Sequence, residues 1–332
     1  MNAHVNSVTR APETGALASA ARAALRAPSV FNTQPWKWRV TGDVMQLSSD
    51  PRRRLGVADA EGRLLLLSCG GALHHALVVL AAQGWLATVE RLPDERRPDL
   101  LARVRLTGRC VPDPAAERLA AAISLRHTDR RAFGERQPAP ELLAELAAVA
   151  QAAGAALFEV PAELVPELAV AVDEAADVEY FDPAYRSELT RWTHRPAWTG
   201  DGVPPANAVR PSMRRVPVRN LFPSEIPSLL AGADEDEGAA YVILYGTGDR
   251  PLDLLRGGEA MSAVLLAATA DGLATAPISE AVEVAWPRQL LRRLLPAGGE
   301  PFLIVRLGYV ESDEVLPMSP RREAHDAIQI DD

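Results

Sequence analysis

Hydrophobic and polar residues follow two different periods near the start of the chain. From Gly15 to Ala27, alanine and leucine recur at helical spacing. The pattern stops before Pro28, because proline disfavours helical backbone in the residue that precedes it. From Trp36 to Val40, apolar and charged residues alternate with the period of a half-buried strand, and a turn leads to a second strand at Val44 to Leu47. The pattern predicts a helix, a polar elbow and a β-hairpin.

Two long apolar segments occur at equivalent places in the two halves of the chain. They run from Gly70 to Thr88 and from Gly258 to Pro277. When Gly70 is aligned with Gly258, Gly84 falls on Gly272, so both segments predict a helix of the same length that ends at a glycine. Neither segment has a polar face, which predicts that both helices are buried.

Strand candidates follow each of the two apolar helices. They are Ala87 to Arg91 and Leu101 to Leu106 in the first half, and Pro301 to Tyr309 in the second. An alanine-rich helix also precedes the apolar helix in each half. A repeat of this length predicts two fused copies of one α+β domain rather than a solenoid with a short period.

A new helix begins between Cys110 and Ser124, where the sequence reads VPDPAAERLAAAIS. We place the domain boundary there, so that residues 1–115 form the first half and residues 116–332 the second. The second half contains an insertion at about 184–238, rich in Pro, Trp, Arg and acidic residues. Connections of this length are usually lids, binding loops or disordered segments, and we favour a lid because this one has apolar residues to pack. Those residues are Trp192, Trp198, Leu221 and Phe222.

The composition excludes several classes of protein. With 48% hydrophobic residues, 24% charged residues and a net charge of -9, the chain falls among globular proteins. Its acidity argues against a nucleic-acid surface. We find no apolar run near the ~18 residues of a membrane span and no signal peptide, so we expect a cytoplasmic protein that does not contact a membrane.

Two residue types are too rare to support some kinds of chemistry. Cys69 and Cys110 are the only cysteines and lack the spacing of a zinc site, so we expect neither a disulfide nor a metal. We interpret both as buried. Lys37 is the only lysine, which excludes a phosphate loop that ends in GK[ST] and a lysine Schiff base elsewhere in the chain.

Arg126, Thr128 and Arg130 alternate within the segment LRHTDRRAF. On an extended or turn segment they would point the same way and offer two guanidinium groups and a hydroxyl to one anion, such as a phosphate. The alternative is a helix N-terminus capped by Thr128, with the arginines paired to Asp129 and Glu135. The spacing leaves both interpretations open.

A second basic motif lies near the end of the chain, where Ser319, Arg321 and Arg322 follow a predicted strand. Alone, such a pair is usually solvated, but together with Arg126 and Arg130 it would complete a pocket for a dianionic phosphate. The first half lacks the arginine cluster but contains SVFNTQPW, which the second half lacks. Two copies that each retain a different part of a site would build one composite site between them.

These motifs together resemble those of one enzyme family. APSVFNTQPW resembles the APSxxNxQPW elbow of FMN-dependent nitroreductases, and RHTDRRAF resembles their phosphate-binding Arg-x-Ser-x-Arg, with Thr128 in place of serine. GEAMSAVLLAATADGLATAPIS is similar to their core helix followed by GLGTxPI, with alanine in place of the second glycine. LGY…PRR is similar to their terminal strand and basic tail. The resemblance spans nearly the whole chain and points to the fused two-domain Acg-like branch.

The resemblance implies an α+β, nitroreductase-like fold in which the two halves form an intrachain pseudo-dimer. In homodimeric members FMN lies at the subunit interface, so the fused chain would hold one FMN and could be a monomer. The implied elbow contacts are Pro28, Ser29, Asn32 and Gln34. The implied phosphate contacts are Arg126, Thr128, Arg130, Ser319, Arg321 and Arg322. The implied ring contacts are Pro277, Ile278, Ser279 and Glu280, with the backbone N–H of Ser279 or Glu280 facing flavin N5.

The resemblance also implies an activity. NAD(P)H would reduce the bound FMN, which would then reduce a nitroaromatic or quinone-like small molecule, so no catalytic acid, base or nucleophile is needed. A flavin covered by the predicted lid could instead be stored without turnover. Some Acg-like proteins are suspected of this, and FMN sequestration is the alternative function.

Four further side chains are interpreted as structural. We expect Trp36 and Trp38 to be core or hairpin residues rather than flavin-stacking residues. His74 and His75 are adjacent on a buried helix and face different directions. We therefore expect core or interface histidines rather than a pair of ligands.

Overall fold

The computed structural model describes residues 12–210, 212–223, 227–232, 235–312 and 314–331. Parts of three predicted regions lie outside these ranges. In the first half they are residues 1–11, and in the second half they are Asp313, Asp332 and six residues of the predicted lid. The six lid residues are Pro211, Ser224, Glu225, Ile226, Ala233 and Asp234.

The described residues form helices and two β-sheets, which confirms the α+β class. The strands are β1 (Trp36–Thr41), β2 (Val44–Ser49), β3 (Trp85–Arg91), β4 (Leu100–Arg109), β5 (Ala156–Glu159), β6 (Ala240–Gly246), β7 (Ala274–Ile278), β8 (Glu300–Gly308) and β9 (Ile328–Asp331). The helices are α1 (Pro12–Ala24), α2 (Arg63–Ala82), α3 (Pro114–Leu125), α4 (Pro140–Ala152), α5 (Val165–Phe181), α6 (Pro183–Thr193), α7 (Pro251–Ala270), α8 (Glu280–Glu283), α9 (Ala285–Leu294) and α10 (Ala324–Ala327).

Four strands of each sheet follow the same order. The first sheet runs β3-β4-β2-β1 and the second runs β7-β8-β6-β5, with antiparallel neighbours throughout. The first sheet gains a fifth strand because β9, from the end of the chain, pairs parallel to β1 with Ile328 beside Trp38. A duplicated α+β unit would produce this shared order. The domain boundary between residues 115 and 116 stays a prediction. Strand β9 belongs to the predicted second half but lies in the first sheet.

The two predicted apolar helices are α2 and α7. Both have 20 residues, and each begins seven residues before its first aligned glycine. The glycines that follow them, Gly84 and Gly272, have φ of +71° and +79°, the left-handed conformation that a terminating glycine adopts without strain. Helices α2 and α7 pack against each other, α2 also contacts the first sheet, and α7 contacts the second.

Gly70 and Gly258 allow the backbones of α2 and α7 to touch. A Cβ placed on Gly70 would lie 2.9 Å from the Cα of Gly258 and still closer to the carbonyl oxygen of Leu255. A Cβ placed on Gly258 would lie 2.9 Å from the Cα of Gly70 and still closer to the carbonyl oxygen of Leu67. The contact is reciprocal, as in a two-fold interface, because Leu67 stands three residues before Gly70 and Leu255 stands three residues before Gly258.

Helix α2 corrects one expectation from the sequence. It is long and apolar enough to cross a membrane by length and composition, and it is the one such helix found among the described residues. The expectation that the chain has no apolar run of that length is therefore wrong. However, 72% of the apolar window is buried, so most of the helix surface is already covered by protein.

The predictions for the tryptophans and histidines agree with the packing. The prediction that both cysteines are buried is wrong for one of them. Trp36 and Trp38 are buried in the core under the first sheet. His74 and His75 both place Nδ1 2.8 Å from the Ser262 hydroxyl of α7, at the helix interface. Cys69 is buried but Cys110 is exposed, because it follows β4 where the chain leaves the sheet.

The predicted lid region begins with helix α6, and its later part is mostly irregular. Trp192, Leu221 and Phe222 are buried in a separate apolar cluster that also contains Phe31 of the elbow. Trp198 is instead 85% exposed. The insertion therefore packs against the first half through most of the apolar residues that the sequence indicated, and its action as a lid stays a prediction.

We expect Gly258→Ala to destabilise the protein by about 3 kcal/mol, because the new methyl group meets backbone that cannot rotate away. The measurement is the free energy of unfolding from urea titrations. Gly15→Ala is the matched control, because Gly15 is also helical and a Cβ there meets nothing within 4 Å. Equal effects of the two substitutions would contradict the close helix crossing.

Candidate functional site

The elbow between α1 and β1 has an unusual backbone. Phe31, Asn32 and Gln34 have φ of 49°, 54° and 50°, in the left-handed region that non-glycine residues rarely adopt. Such strain persists only where surrounding contacts fix the conformation. Here the Ser29 hydroxyl accepts a 2.9 Å hydrogen bond from the Gln34 N–H, so the elbow is closed on itself.

A turn of the insertion, Gly200 to Gly202, holds the elbow from outside. The Gln34 side-chain amide donates to the Gly200 carbonyl at 2.8 Å, and the Asn32 amide donates to the Gly202 carbonyl at 3.0 Å. Between the two glycines, buried Asp201 pairs with Arg53 at 2.6 Å. These contacts join the elbow of the first half to the insertion of the second.

Beside the elbow lies an apolar cavity with about 900 Å³ of empty space, its open mouth included. The walls come from both halves. From the first half they are Pro28, Ser29, Val30, Phe31, Leu64, Leu67 and Ser68. From the second they are Thr128, Arg130, Val218, Arg219, Leu221, Met261, Ala276, Pro277, Ile278, Ser279, Glu280, Leu303 and Arg306.

A basic cavity with about 420 Å³ of empty space adjoins the apolar one. The two cavities share a wall, so a single ligand could extend through both. The shared residues are Pro28, Ser29, Phe31, Thr128 and Arg130. The basic cavity adds Asn32, Arg126, Gly202, Val203, Pro204, Asn207, Ser319 and Arg321.

Arg126, Arg130 and Arg321 place three positive charges around the basic cavity, and none of them forms an ion pair with a carboxylate among the described residues. Burial lowers the pKa of Arg126 and of Arg130 to about 10 and that of Arg321 to about 9. The positive charge of Arg130 also lowers the pKa of Arg126, and the positive charge of Arg126 lowers that of Arg321. Arg126 is buried and the other two are half-buried, and positive charge concentrated in this way favours a bound anion.

The hydrogen bonds of the three arginines are incomplete. Arg130 donates to the Asn207 carbonyl at 2.8 Å, and Arg321 donates to the Asn32 side-chain oxygen at 3.1 Å. The Nε and Nη1 atoms of Arg126 and the Nε of Arg321 are buried without a partner in the described part of the chain. Buried donors without partners are rare, and an anion with several oxygens would satisfy them.

Two predicted contact residues lie outside the walls of both cavities. The backbone N–H of Arg322 donates to the Gln34 side-chain oxygen at 3.0 Å, and the Arg322 guanidinium donates to the carbonyls of Gln34 and Trp36. The polar groups of Gln34 and Arg322 thus attach the C-terminal segment to the elbow. Both residues position the cavity wall rather than forming it.

The other predicted residues line the cavities. Pro28, Ser29, Thr128 and Arg130 line both; Pro277, Ile278, Ser279 and Glu280 line the apolar cavity; Asn32, Arg126, Ser319 and Arg321 line the basic cavity. The Ser279 N–H, one of two donors that the resemblance implies at N5, donates to the Glu280 carboxylate at 3.0 Å.

The alternative interpretation of the arginine motif is wrong. Helix α4 begins at Pro140 after the N-cap Ala139, so Thr128 does not cap a helix. Asp129 pairs with Arg131 at 2.8 Å rather than with the two arginines that line the cavity. The segment instead runs irregularly past the cavity, as the anion interpretation requires.

Arg219 is the main cavity residue that sequence reasoning missed. It lies at ion-pair distance from Glu179, Glu280 and Glu283, at 3.5, 3.2 and 2.6 Å, and its guanidinium lies 4.9 Å from the centre of the Phe31 ring. The sequence shows only an arginine between prolines of the insertion. Other missed residues are Leu64, Leu67, Ser68, Met261, Leu303 and Arg306. All six lie on α2, α7 or β8, and their position on these elements is the feature of the sequence that could have identified them.

No family model matches the chain. Two curated relatives come from Mycobacterium tuberculosis. The chain is 39% identical to "Putative NAD(P)H nitroreductase Rv3131" over 327 residues, 97% of this chain and 93% of that protein. It is 32% identical to acg, which carries the same description, over 323 residues, 96% of both chains. The chain belongs to this nitroreductase family, and specifically to its Acg-like branch.

Among solved structures, the chain is similar to two nitroreductases. The FMN-dependent nitroreductase NfnB from Mycobacterium smegmatis, solved with NADPH, has a TM-score of 0.41 and 14% identity over 64% of this chain and 97% of that chain. A nitroreductase from Bacteroides fragilis with bound FMN has a TM-score of 0.39 and 15% identity over 60% of this chain and 92% of that chain.

For the protein without ligand, we expect Arg126→Met to leave the free energy of unfolding unchanged or higher, because it removes a buried charge that has no ion pair. Arg131→Met is the control, because it leaves the buried Asp129 carboxylate without its partner and should cost about 3 kcal/mol. Urea titrations of both variants measure the difference. A similar loss of stability in both would show that Arg126 has a structural partner.

Proposed function

We propose that the chain binds one FMN, with the phosphate in the basic cavity and the flavin ring in the apolar cavity. The observation that carries this proposal is a set of three arginines, one buried and two half-buried, that have no acidic ion-pair partner among the described residues and lie at one end of an apolar space. Arg126, Arg130 and Arg321 would hold the phosphate, with Thr128 and Ser319 as hydroxyl partners. Gln34 and Arg322 would act indirectly by fixing the elbow.

The apolar cavity would hold and orient the ring. Pro28 and Ser29 on one side and Pro277 to Ile278 on another come from different halves of the chain, so the ring would lie between them. Bound FMN supplies two-electron redox chemistry, and the residues around it supply orientation and electrostatics. Ser279 and Glu280 would contact the polar edge of the ring, and a backbone N–H of this pair is the proposed donor there.

We propose that NAD(P)H reduces the bound FMN and that a nitroaromatic or quinone-like molecule accepts the electrons. Membership of a family whose relatives are named for NAD(P)H nitroreductase activity supports this assignment. One chain supplies both sides of the proposed site, so we also propose that a monomer is sufficient for FMN binding.

FMN sequestration is the second candidate function, because part of the insertion lines the apolar cavity. Val218, Arg219 and Leu221 form one wall, and the insertion is held there by the carboxylates around Arg219. A wall fixed in this way could keep NAD(P)H from the flavin. The two functions differ in whether the bound flavin can be reduced.

We expect Arg126→Ala to weaken FMN binding by about 10- to 100-fold, the effect of losing charge-assisted hydrogen bonds to a phosphate. Quenching of FMN fluorescence on titration with flavin-free protein measures the dissociation constant. Arg136→Ala is the matched control, because Arg136 is exposed in the same loop and lines neither cavity. Equal FMN affinity of the two variants would refute the proposed phosphate site.

We expect excess NADPH to bleach the visible absorbance of bound flavin within seconds under anaerobic conditions. Leu221→Ala, which removes part of the wall that the insertion contributes, is the comparison. Bleaching of both proteins supports the reductase. If NADPH bleached the flavin of Leu221→Ala but not that of the wild type, the reductase proposal would be refuted in favour of sequestration.

A further inference from the structure

A second apolar cavity lies on the far side of the segment Pro217 to Asn220. It has about 780 Å³ of empty space, with its opening included. Its apolar walls are Val172, Ala176, Leu189, Pro217, Val218 and Pro223. It shares Val218, Arg219 and Glu280 with the proposed flavin cavity, so one layer of side chains separates the two spaces.

Tyr185 supplies a hydrogen-bond donor that the protein leaves unused. It lines this second cavity and is only 6% exposed, and its hydroxyl has no hydrogen-bond partner among the described residues. Nearly all buried polar groups in native proteins are paired. A ligand with an acceptor oxygen would therefore satisfy Tyr185 without displacing any protein contact.

The charges around the second cavity favour a neutral ligand. Arg219 is already surrounded by the carboxyls of Glu179, Glu280 and Glu283. Burial, opposed by Arg219, raises the pKa of Glu179 to about 9, so that this carboxyl is protonated at neutral pH. Asp177 and Arg186 add one charge of each sign to the lining, so the cavity has no excess of positive charge that would attract an anionic ligand.

We propose that this second cavity binds a small neutral molecule with an apolar body and an acceptor oxygen, which takes a hydrogen bond from the Tyr185 hydroxyl. Nitro compounds and quinones have these properties, and they are the proposed electron acceptors. The identification of the ligand as the acceptor rests on the proposed function. The binding site itself rests on the cavity, on Tyr185 and on the surrounding charges.

Nitrobenzene is a suitable probe, with toluene as a control of similar shape that lacks the oxygens. Ligand-observed NMR on the full-length oxidised protein gives both dissociation constants without turnover. We expect Tyr185→Phe to weaken nitrobenzene binding by about 3- to 10-fold and to leave toluene binding unchanged, as for the loss of one hydrogen bond. Equal affinity of the wild type and Tyr185→Phe for nitrobenzene would overturn the proposal.

Ala176→Trp tests the location independently, because it fills the cavity from α5 and leaves Tyr185 intact. Val170→Trp is its control on the same helix, at a position that is 53% exposed and outside the cavity wall. We expect Ala176→Trp, but not Val170→Trp, to abolish the part of nitrobenzene binding that Tyr185→Phe weakens. If Tyr185→Phe still weakened nitrobenzene binding in the Ala176→Trp protein, the probe would lie outside this cavity and the proposal would be overturned.

Flavin content, measured by absorbance on the same samples, separates this proposal from the proposed function. Flavin-loaded protein whose nitrobenzene binding depends on Tyr185 and Ala176 supports both. The same dependence in a protein that cannot take up FMN supports the second cavity and refutes the proposed function. Flavin-loaded protein without such binding refutes the second cavity alone.

Discussion

The backbone contact between Gly70 and Gly258 is the constraint on which the site depends. It brings α2 and α7 close enough for both helices to contribute to one wall, through Leu67 and Ser68 from α2 and Met261 from α7. A side chain at either glycine would separate the helices and move the elbow of the first half away from the strands of the second. A packing requirement in the centre of the protein thus determines the geometry of a cavity at its edge.

Uncompensated positive charge is the second organising feature. Arg126, Arg130 and Arg321 come from two distant segments, and bringing their positive charges together away from bulk water raises the free energy of the protein without ligand. The elbow carries a further cost, because Phe31, Asn32 and Gln34 have left-handed backbone. Unfavourable charge and backbone strain occur side by side, which is typical of a site that is shaped for a ligand.

The sequence predicted those parts of the fold that local patterns determine. The hairpin of β1 and β2 was predicted from its alternation of apolar and polar residues. The two central helices were predicted from their long apolar segments. The starts of those helices were missed, since Arg63 gives α2 a charged first residue. Strands β5, β6, β7 and β9 were also missed. For short β5 and β9, the pairing is set by strands distant in the sequence rather than by their own few residues.

The candidate site shows the same division between local and distant information. The two basic motifs and the family resemblance together predicted that Arg126, Arg130, Arg321 and Arg322 contact one phosphate. They did not show that the Arg322 donors reach the elbow backbone instead, because that difference depends on the fold around the tail. Arg219 was missed for a related reason, since its three carboxyl partners lie on other elements.

In the proposed function, two different halves of the chain build one composite flavin site. An equilibrium titration of the flavin-free protein with FMN, with bound flavin counted per chain, tests this most directly. We expect saturation at one FMN per chain. Saturation at two per chain would mean that each half holds its own flavin, and the absence of saturable binding would mean that the three arginines serve another anion; either result would contradict the composite site.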